Sequence, residues 1–400
     1  MRSPEDLAAL RSPEGRALLA ELRDHDPGQA LALATRLRRD HPVELVSAAL
    51  TQARLRQRAA AKFGADAGRM YFTPGGVEQA TRTVVAEHRA ARFKELGVSA
   101  LADLCCGNGG DALALARAGI RVLAVDLDPL TAAVARANAE ELGLADLVEV
   151  RCADVTDVDV SDYDAVFCDP ARRGARGRIF DPEAYSPPLS WAMEVAGRVS
   201  HAALKVAPGI PHELVPAGAE AEWISDGGDV KEAVLWFGTP TPGVRATLLP
   251  DGATLHTSLA AKLPDPPVRP VGRFLHEPDG AVIRSHLVAE AARQIDGGLI
   301  DETIAYLTSD TLVRTPYATP YKISDVLPFS LKRLRALLRE RGVGTLTVKK
   351  RGSAIEPEEL RRKVKPAGPN SATVFLTRVA GAPSMLIGTP VRDATLGGDD

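Results

Sequence analysis

Five acids occupy positions from which a chain can do chemistry: Asp103, Asp111, Asp126, Asp154 and Asp169. Asp103 opens DLCCGNG (103–109), Asp126 closes the apolar run RVLAV, Asp154 follows VEVRCA, and Asp169 is followed by Pro170. Glycines flanked by such acids suit a nucleoside. Glycine lets the backbone approach the ligand, and an acid about 20 residues further on accepts hydrogen bonds from ribose hydroxyls. Gly107 and Asp126 are 19 positions apart.

These residues need strands and turns to hold them. Leu101–Leu104 reads as a short buried strand, 105–110 as the glycine turn, about 111–118 as a helix, and Arg121–Val125 as a second strand. A helix over Pro129–Leu142 and strands over Val148–Cys152 and Tyr163–Cys168 follow. Helix Pro188–Val199, strand Ala203–Val206, and two strands around Gly227-Gly228 complete the series. Alternating strands and helices predict a parallel α/β sheet with ligands at the carboxyl ends of its strands.

The acids also discriminate between cofactors. Gly107, Gly109 and Ala112 fit the GxGxxA pattern of a nicotinamide site, so an NAD-dependent oxidoreductase must be weighed. A carboxylate at Asp103 disfavours a pyrophosphate, and Asp111 opens the helix where a diphosphate would need positive potential. S-adenosylmethionine (SAM) meets the pattern better: its ammonium suits Asp103, its ribose Asp126 and its adenine amino group Asp154. Turn formation and capping are the ordinary explanation for each acid taken alone.

DLCCGNG resembles motif I of class I SAM-dependent methyltransferases, with Cys105 replacing the first glycine often found there. AVDLDP (124–129), ANA (137–139) and FTP (72–74) resemble the corresponding stretches of trimethylguanosine synthases. The resemblance implies a Rossmann-like sheet in which Asp103, Cys105, Gly107, Asn108 and Gly109 hold the methionine part. It assigns Asp126 to the ribose, Asp154 and Val155 to the adenine, and Phe72 and Thr73 to a cover over the cofactor. Residues from about 325 to 390 resemble the C-terminal THUMP-like domain of a bacterial methyltransferase family, which implies an RNA substrate, tRNA or rRNA.

Methyl transfer from SAM is an in-line displacement that requires positioning and exclusion of water, and it needs no metal. Cys168-Asp169-Pro170-Ala171-Arg172 is similar to the (N/D)PP(Y/F) motif of amino-group methyltransferases. Asp169 and the Pro170 carbonyl would accept the N–H bonds of the target amine. Arg172 stands where the motif has a stacking aromatic, and a guanidinium can stack on a base or pin a phosphate. DPAR is also similar to the DPPR of RNA uracil-C5 methyltransferases, which need a later nucleophilic cysteine; none follows Cys168. The expected reaction is therefore methyl transfer to an RNA base nitrogen. The same residues are compatible with a SAM-binding, RNA-binding protein with little catalysis, and with a small-molecule methyltransferase.

Composition sets outer limits. The 400 residues are 45% apolar and carry a formal net charge of −3, which excludes a protein coating nucleic acid with its whole surface. Between Leu331 and Lys365 the balance is nevertheless +8, leaving about −11 elsewhere. Lys349, Lys350 and Arg351, together with Arg361, Arg362 and Lys363, are candidate phosphate contacts there, as is Arg173 beside the Asp169 site. Cations ending a helix also complement its dipole. Arginines on the N-terminal helices read as a solvated face. No apolar stretch has the length of a membrane span, and the four cysteines lack metal-site spacing, so a cytoplasmic protein with reduced thiols is expected. The expected divisions are a helical region over 1–69, a methyltransferase domain over 70–240, an intermediate α+β segment over 241–324 and a THUMP-like α+β domain over 325–392.

Overall fold

The computed structural model describes residues 1–391 apart from Arg2, Arg172, Ala175, Arg176, Ile179 and Phe180. For Pro27, Arg173, Gly174, Gly177, Arg178 and Leu259 the backbone alone is described. The chain forms two compact units, Met1–Glu220 with Glu232–Pro242, and Ala221–Lys231 with the residues from Gly243 onward.

In the first unit, helices α1 (Pro4–Arg11), α2 (Pro13–Glu21), α3 (Ala30–Leu37) and α4 (Val43–Phe63) come first. Ser3 and Ser12 cap α1 and α2 through their hydroxyls, and Pro4 and Pro13 occupy the first helical positions, where no N–H is needed. Leu7, Leu10, Leu18, Leu19, Leu45 and Val46 then bury one shared apolar core with Val134 and Ala137, further along the chain. Helices α5 (Pro74–Gln79) and α6 (Thr83–Glu95) lead into the sheet.

The sheet begins with β1 (Ala100–Leu104), α7 (Gly110–Arg117), β2 (Arg121–Asp126), α8 (Pro129–Glu141), β3 (Val148–Cys152) and β4 (Ala165–Cys168). Two short antiparallel segments, β5 (Arg173–Gly174) and β6 (Gly177–Arg178), precede α9 (Leu189–Ala196) and β7 (His201–Val206). Strands β3, β2, β1, β4 and β7 are parallel in that spatial order. Every residue of β1 and of β4 is buried, as expected of strands covered on both faces. The chain winds outward from β1 through β2 to β3 and then returns to the other side of β1 at β4. That reversal opens a crevice between the carboxyl ends of β1 and β4, where doubly wound sheets bind ligands. Strand β8 (Glu220–Asp226), which apart from Glu220 belongs to the second unit, is followed by β9 (Asp229–Phe237), whose residues 233–237 belong to the first and run antiparallel to β7. The expected α/β sheet is thus present with boundaries close to those read from the sequence.

In the second unit, the Pro- and Gly-rich stretch read as a linker contains an antiparallel pair, β10 (Gly243–Leu249) and β11 (Ala253–Thr257). Then come β12 (Phe274–Pro278), α10 (Gly280–Arg284), α11 (Val288–Gln294), β13 (Gly298–Asp301), β14 (Ile304–Ser309) and β15 (Ala318–Pro328). The unit ends with α12 (Leu331–Glu340), β16 (Val343–Lys350), α13 (Pro357–Val364), β17 (Asn370–Val379) and β18 (Ala382–Pro390). These strands form one mostly antiparallel sheet in the order β13-β14-β12-β15-β18-β17-β16. Residue 325, where the sequence suggested a boundary, falls inside β15, and that sheet is built from both sides of it. Ser330 caps α12 by accepting from the Arg333 N–H, with Phe329 and Leu334 in the same apolar cluster, as the staple pattern predicts. Among the described residues no helix is long and apolar enough to cross a membrane.

Candidate active site

The crevice is built from the ends of β1, β2 and β4. Asp103, next to last in β1, is 1% exposed, and neither carboxylate oxygen has a hydrogen-bond partner among the described residues. Burial pushes its pKa well above the carboxylate range, and the charges of Asp111 and Asp169 push the same way. A buried, unpaired carboxylate is costly to keep, so the position calls for a cation. A ligand ammonium supplies one.

The turn after β1 leaves room for that ligand. Gly107 has φ +58°, and a Cβ there would meet nothing within 4 Å, so the backbone faces open space. Cys105, in place of the usual glycine, has φ +68°, a left-handed conformation that disfavours a side chain. The Gly107 N–H donates to Asp126 Oδ2 (3.0 Å) and the Asp128 N–H to Asp126 Oδ1 (3.0 Å), which fixes that acid at the end of β2. Burial raises the Asp126 pKa against those two hydrogen bonds. Asn108 is 3% exposed and its amide has no partner among the described residues. Asp154 is exposed, and its Oδ1 accepts from the Thr156 N–H (2.9 Å) and hydroxyl (2.8 Å), the capping role weighed in the sequence. Val155, next to it, is buried.

Phe72 and Thr73 are held from the side. Asn138 Oδ1 accepts from the Tyr71 N–H (2.7 Å), and its Nδ2 donates to the Tyr71 carbonyl (3.0 Å) and the Asn108 carbonyl (2.9 Å). The buried Gln52 amide on α4 faces Phe72 in the same manner, and with its oxygen toward the Phe72 N–H (2.9 Å) and its nitrogen toward the Phe72 carbonyl (3.1 Å) both groups are satisfied. Thr73 caps α5 by accepting from the Gly76 N–H (3.0 Å). The Asn138 amide therefore ties Tyr71, just ahead of the FTP segment, to the glycine turn.

Asp169 lies just beyond β4, across the crevice strands from Asp103, and its N–H donates to the Leu104 carbonyl (3.2 Å). Lys205 Nζ on β7 donates to Asp169 Oδ2 (2.6 Å) and Thr81 Oγ1 (3.0 Å), and stands 3.6 Å from Glu232 Oε2. Arg89 on α6 joins Asp111 (2.9 Å) to Glu232 (2.7 Å) and lies over the Phe167 ring at 4.3 Å. Burial works to lower the Lys205 pKa, but the carboxylates of Asp169, Glu232 and Asp111 outweigh it and hold it raised. For Asp111, burial is outweighed by Arg89 and Lys205, so its carboxyl is lowered. Cations thus stand beside every acid of this network except Asp103.

Arg89, Lys205 and Glu232 were not singled out in the sequence. Each stands on a separate element, and only the uncommon sight of a lysine inside the apolar run AALKVA (202–207) hinted at one of them. Asp111, read as an obstacle to a diphosphate, has its charge offset by Arg89, so the acid without a partner among the described residues is Asp103. Pro170 is buried at the foot of the site and Ala171 pairs with Ser186. Arg172 and the Arg173 side chain lie outside the described residues.

The C-terminal cations are dispersed by strand alternation. Lys349 and Lys350 are successive residues of β16 and project to opposite faces. Lys349 pairs with Glu277, and Arg351 lies 3.7 Å from the same acid. Lys350 pairs with Glu356, Arg361 with Glu358 and Lys363 with Glu359. Arg362 is exposed on α13. Among the described residues no group of three or more His, Cys, Asp or Glu could hold a metal.

A crevice at the β1–β4 reversal, an unpartnered acid ahead of a glycine turn and an acid at the end of β2 define a nucleoside-cofactor enzyme of the class I methyltransferase type. Residues 101–172 match the methyltransferase domain family and 318–390 the THUMP domain-like family, while 3–59 match a domain of unknown function. The chain is 35% identical over 343 residues to an uncharacterized S-adenosylmethionine-dependent methyltransferase of Mycobacterium tuberculosis, covering 83% of this chain and 92% of that one. The chain belongs to this family of SAM-dependent methyltransferases with a C-terminal THUMP-like domain. A 23S rRNA uracil-C5 methyltransferase of Acidithiobacillus ferrooxidans is 33% identical over 105 residues, about a quarter of each chain. A solved structure from Porphyromonas gingivalis shares the fold, with a TM-score of 0.78 at 20% identity, over 98% of this chain and all of that one.

Proposed function

We propose that this methyltransferase acts on RNA, tRNA or rRNA, at a base nitrogen, with Asp169 as the group that orients the acceptor. One observation carries the reading: Asp169 stands at the β1–β4 reversal beside Asp103, with Lys205 holding one carboxylate oxygen at 2.6 Å. Its other oxygen, Oδ1, and the Pro170 carbonyl are the acceptors for an exocyclic N–H. The THUMP-like match supports RNA as the substrate class, since THUMP domains proper are RNA-binding modules of tRNA-modifying enzymes.

The residues of the site fit SAM. Asp103, with neither oxygen partnered among the described residues, would receive the ammonium. The open backbone at Gly107, with Cys105, Asn108 and Gly109, would run along the methionine part, and Asp126 would accept from the ribose. Asp154 and Val155 would border the adenine, and Phe72 and Thr73 would cover it. When bound, SAM supplies a methyl group activated by a sulfonium. The chain's part is positioning. Asp169 accepts hydrogen bonds from the amine, aims its lone pair, and stabilises the positive charge that develops on the nitrogen. Lys205, inside the network, keeps Asp169 fixed.

Uracil-C5 chemistry of the kind named for the Acidithiobacillus protein needs a thiol nucleophile, and no cysteine follows Cys168. The test is tritium transfer from labelled SAM to total RNA of a strain lacking the protein. Wild type is expected to label a discrete RNA species and Asp169→Ala to label none. Equal labelling by the variant rejects the assignment of Asp169, and absence of any labelling by wild type rejects RNA.

A further inference from the structure

A cavity of about 340 Å³ opens in the first unit between α2, α4, the turn Gly64–Gly68 and the end of α8. Arg16, Arg23, Arg56 and Arg69 line it, with Glu141 and buried Tyr71. The volume lies within the range of ligand sites, ~300–1,000 Å³. Its charge is unbalanced. Glu141 is the one acid of the lining and it is engaged, by Arg16 at 2.7 Å and by Arg11 at 3.8 Å. The Glu141 carbonyl accepts from Arg69.

Arg56 has dipoles rather than charges for partners. Its Nε donates to the Met70 carbonyl (2.8 Å), its Nη2 to the Arg69 carbonyl (3.3 Å), and the guanidinium lies 5.0 Å from the Tyr71 ring centroid. Burial lowers its pKa against the opposing pull of Tyr71 and of the Glu141 carboxylate, and Arg23 adds a smaller push downward. Among the described residues no carboxylate lies within ion-pair distance of Arg56 or Arg23. Four guanidiniums stand against one carboxylate, and Arg23, Arg56 and Arg69 have no ion pair with an acid among the described residues, which leaves the cavity short of an anion.

Its position ties it to the methyl-transfer site. Tyr71 borders the cavity and immediately precedes Phe72-Thr73, while Asn138, one turn before Glu141 on α8, holds both Tyr71 and the Asn108 carbonyl. The remaining lining is largely aliphatic, with Leu19, Ala20, Ala53 and Ala60, and its one amide, Gln57, already donates to the His25 carbonyl (2.9 Å). Guanidinium forks match the paired oxygens of a phosphodiester.

We propose that this arginine cavity receives a backbone phosphate of the RNA substrate, so that the N-terminal helices position the RNA. The inference rests on the reading of RNA as substrate. It reverses the sequence reading, in which these arginines form a solvated face, and it places phosphate contact on the unit that carries the candidate active site. Such a contact fixes register and carries no sequence information.

The experiment uses the full-length protein, radiolabelled total tRNA and rRNA in a filter-binding assay, and calorimetric titration of SAM. Arg23→Glu is the informative variant, because Arg23 is exposed and its loss leaves the helix contacts intact. The expected result is a Kd for tRNA raised about tenfold, the loss of one charge-assisted contact. The slope of log K against log salt should fall by about 0.7–0.9. Arg23→Lys should stay within about threefold of wild type, since a point charge still meets a phosphate. SAM affinity should be the same in all three proteins. Salt-dependent tRNA binding by wild type that Arg23→Glu leaves unchanged overturns the cavity assignment while RNA remains the substrate. Wild type that binds SAM but neither tRNA nor rRNA at about 50 mM salt overturns both readings.

Discussion

Replacing Lys205 by methionine keeps the shape of a buried side chain and removes its charge. Lys205 has a side-chain exposure of 5% and stands 2.6 Å from Asp169 and 3.6 Å from Glu232. Glu232 retains Arg89 at 2.7 Å, so the loss falls mainly on Asp169. Leaving one partner of a buried pair uncompensated costs ~3–5 kcal/mol, and water reaching the 24%-exposed Asp169 side chain reduces that to about 2–4 kcal/mol. For a unit of this size each kcal/mol shifts Tm by about 2–4 °C, so a fall of about 4–16 °C is expected. The pH dependence follows from the neighbouring groups. Lys205 helps to lower the Asp111 pKa, and a lowered carboxyl contributes stability above its unfolded value that is lost as the pH falls through the folded one. The Lys205 pKa is itself raised, so its contribution is fully present below its unfolded value of about 10.4. The gap between wild type and Lys205→Met should therefore be flat from about pH 5 to 9 and narrow below about pH 4. Differential scanning calorimetry across that range is the assay. A Tm within about 1 °C of wild type at neutral pH, or a gap that widens toward acid, would refute the account of the network.

Asp103→Asn should abolish stabilisation by SAM and yet raise the stability of the cofactor-free protein. The buried carboxyl has a raised pKa and so weakens the fold as pH rises above about 3.9; an apo variant no more stable than wild type at pH 8 contradicts this. For wild type, SAM at ~100 times its Kd should add about 2.7 kcal/mol in a thermal shift, and NAD should add nothing. Cys105→Gly should stabilise by about 1 kcal/mol in urea denaturation, because φ +68° costs a side chain but not glycine; a lower denaturation midpoint argues against strain at that turn.

The sequence by itself determined what is local. Strand, glycine turn, helix and acid lie within a few dozen residues, and their periodicity and turn chemistry depend on neighbours along the chain. The strand-end and turn positions of Asp103, Gly107, Asp126 and Asp169 were legible for that reason, as were the Ser330 cap and the THUMP-like helix. Contacts between distant residues were not legible. Arg89 meets Glu232 across 143 positions and Lys205 meets Asp169 across 36, and no spacing rule joins them. The structure also decided how charge is distributed. A C-terminal segment of +8 looks like a patch along the sequence, but alternation along β16 and pairing with Glu277, Glu356, Glu358 and Glu359 divide it. Arginines scattered over α2, α4 and the turns beside them converge on one cavity. Charge sums along a chain ignore direction, and it is the packing of helices and the pleat of strands that decides which charges share a surface.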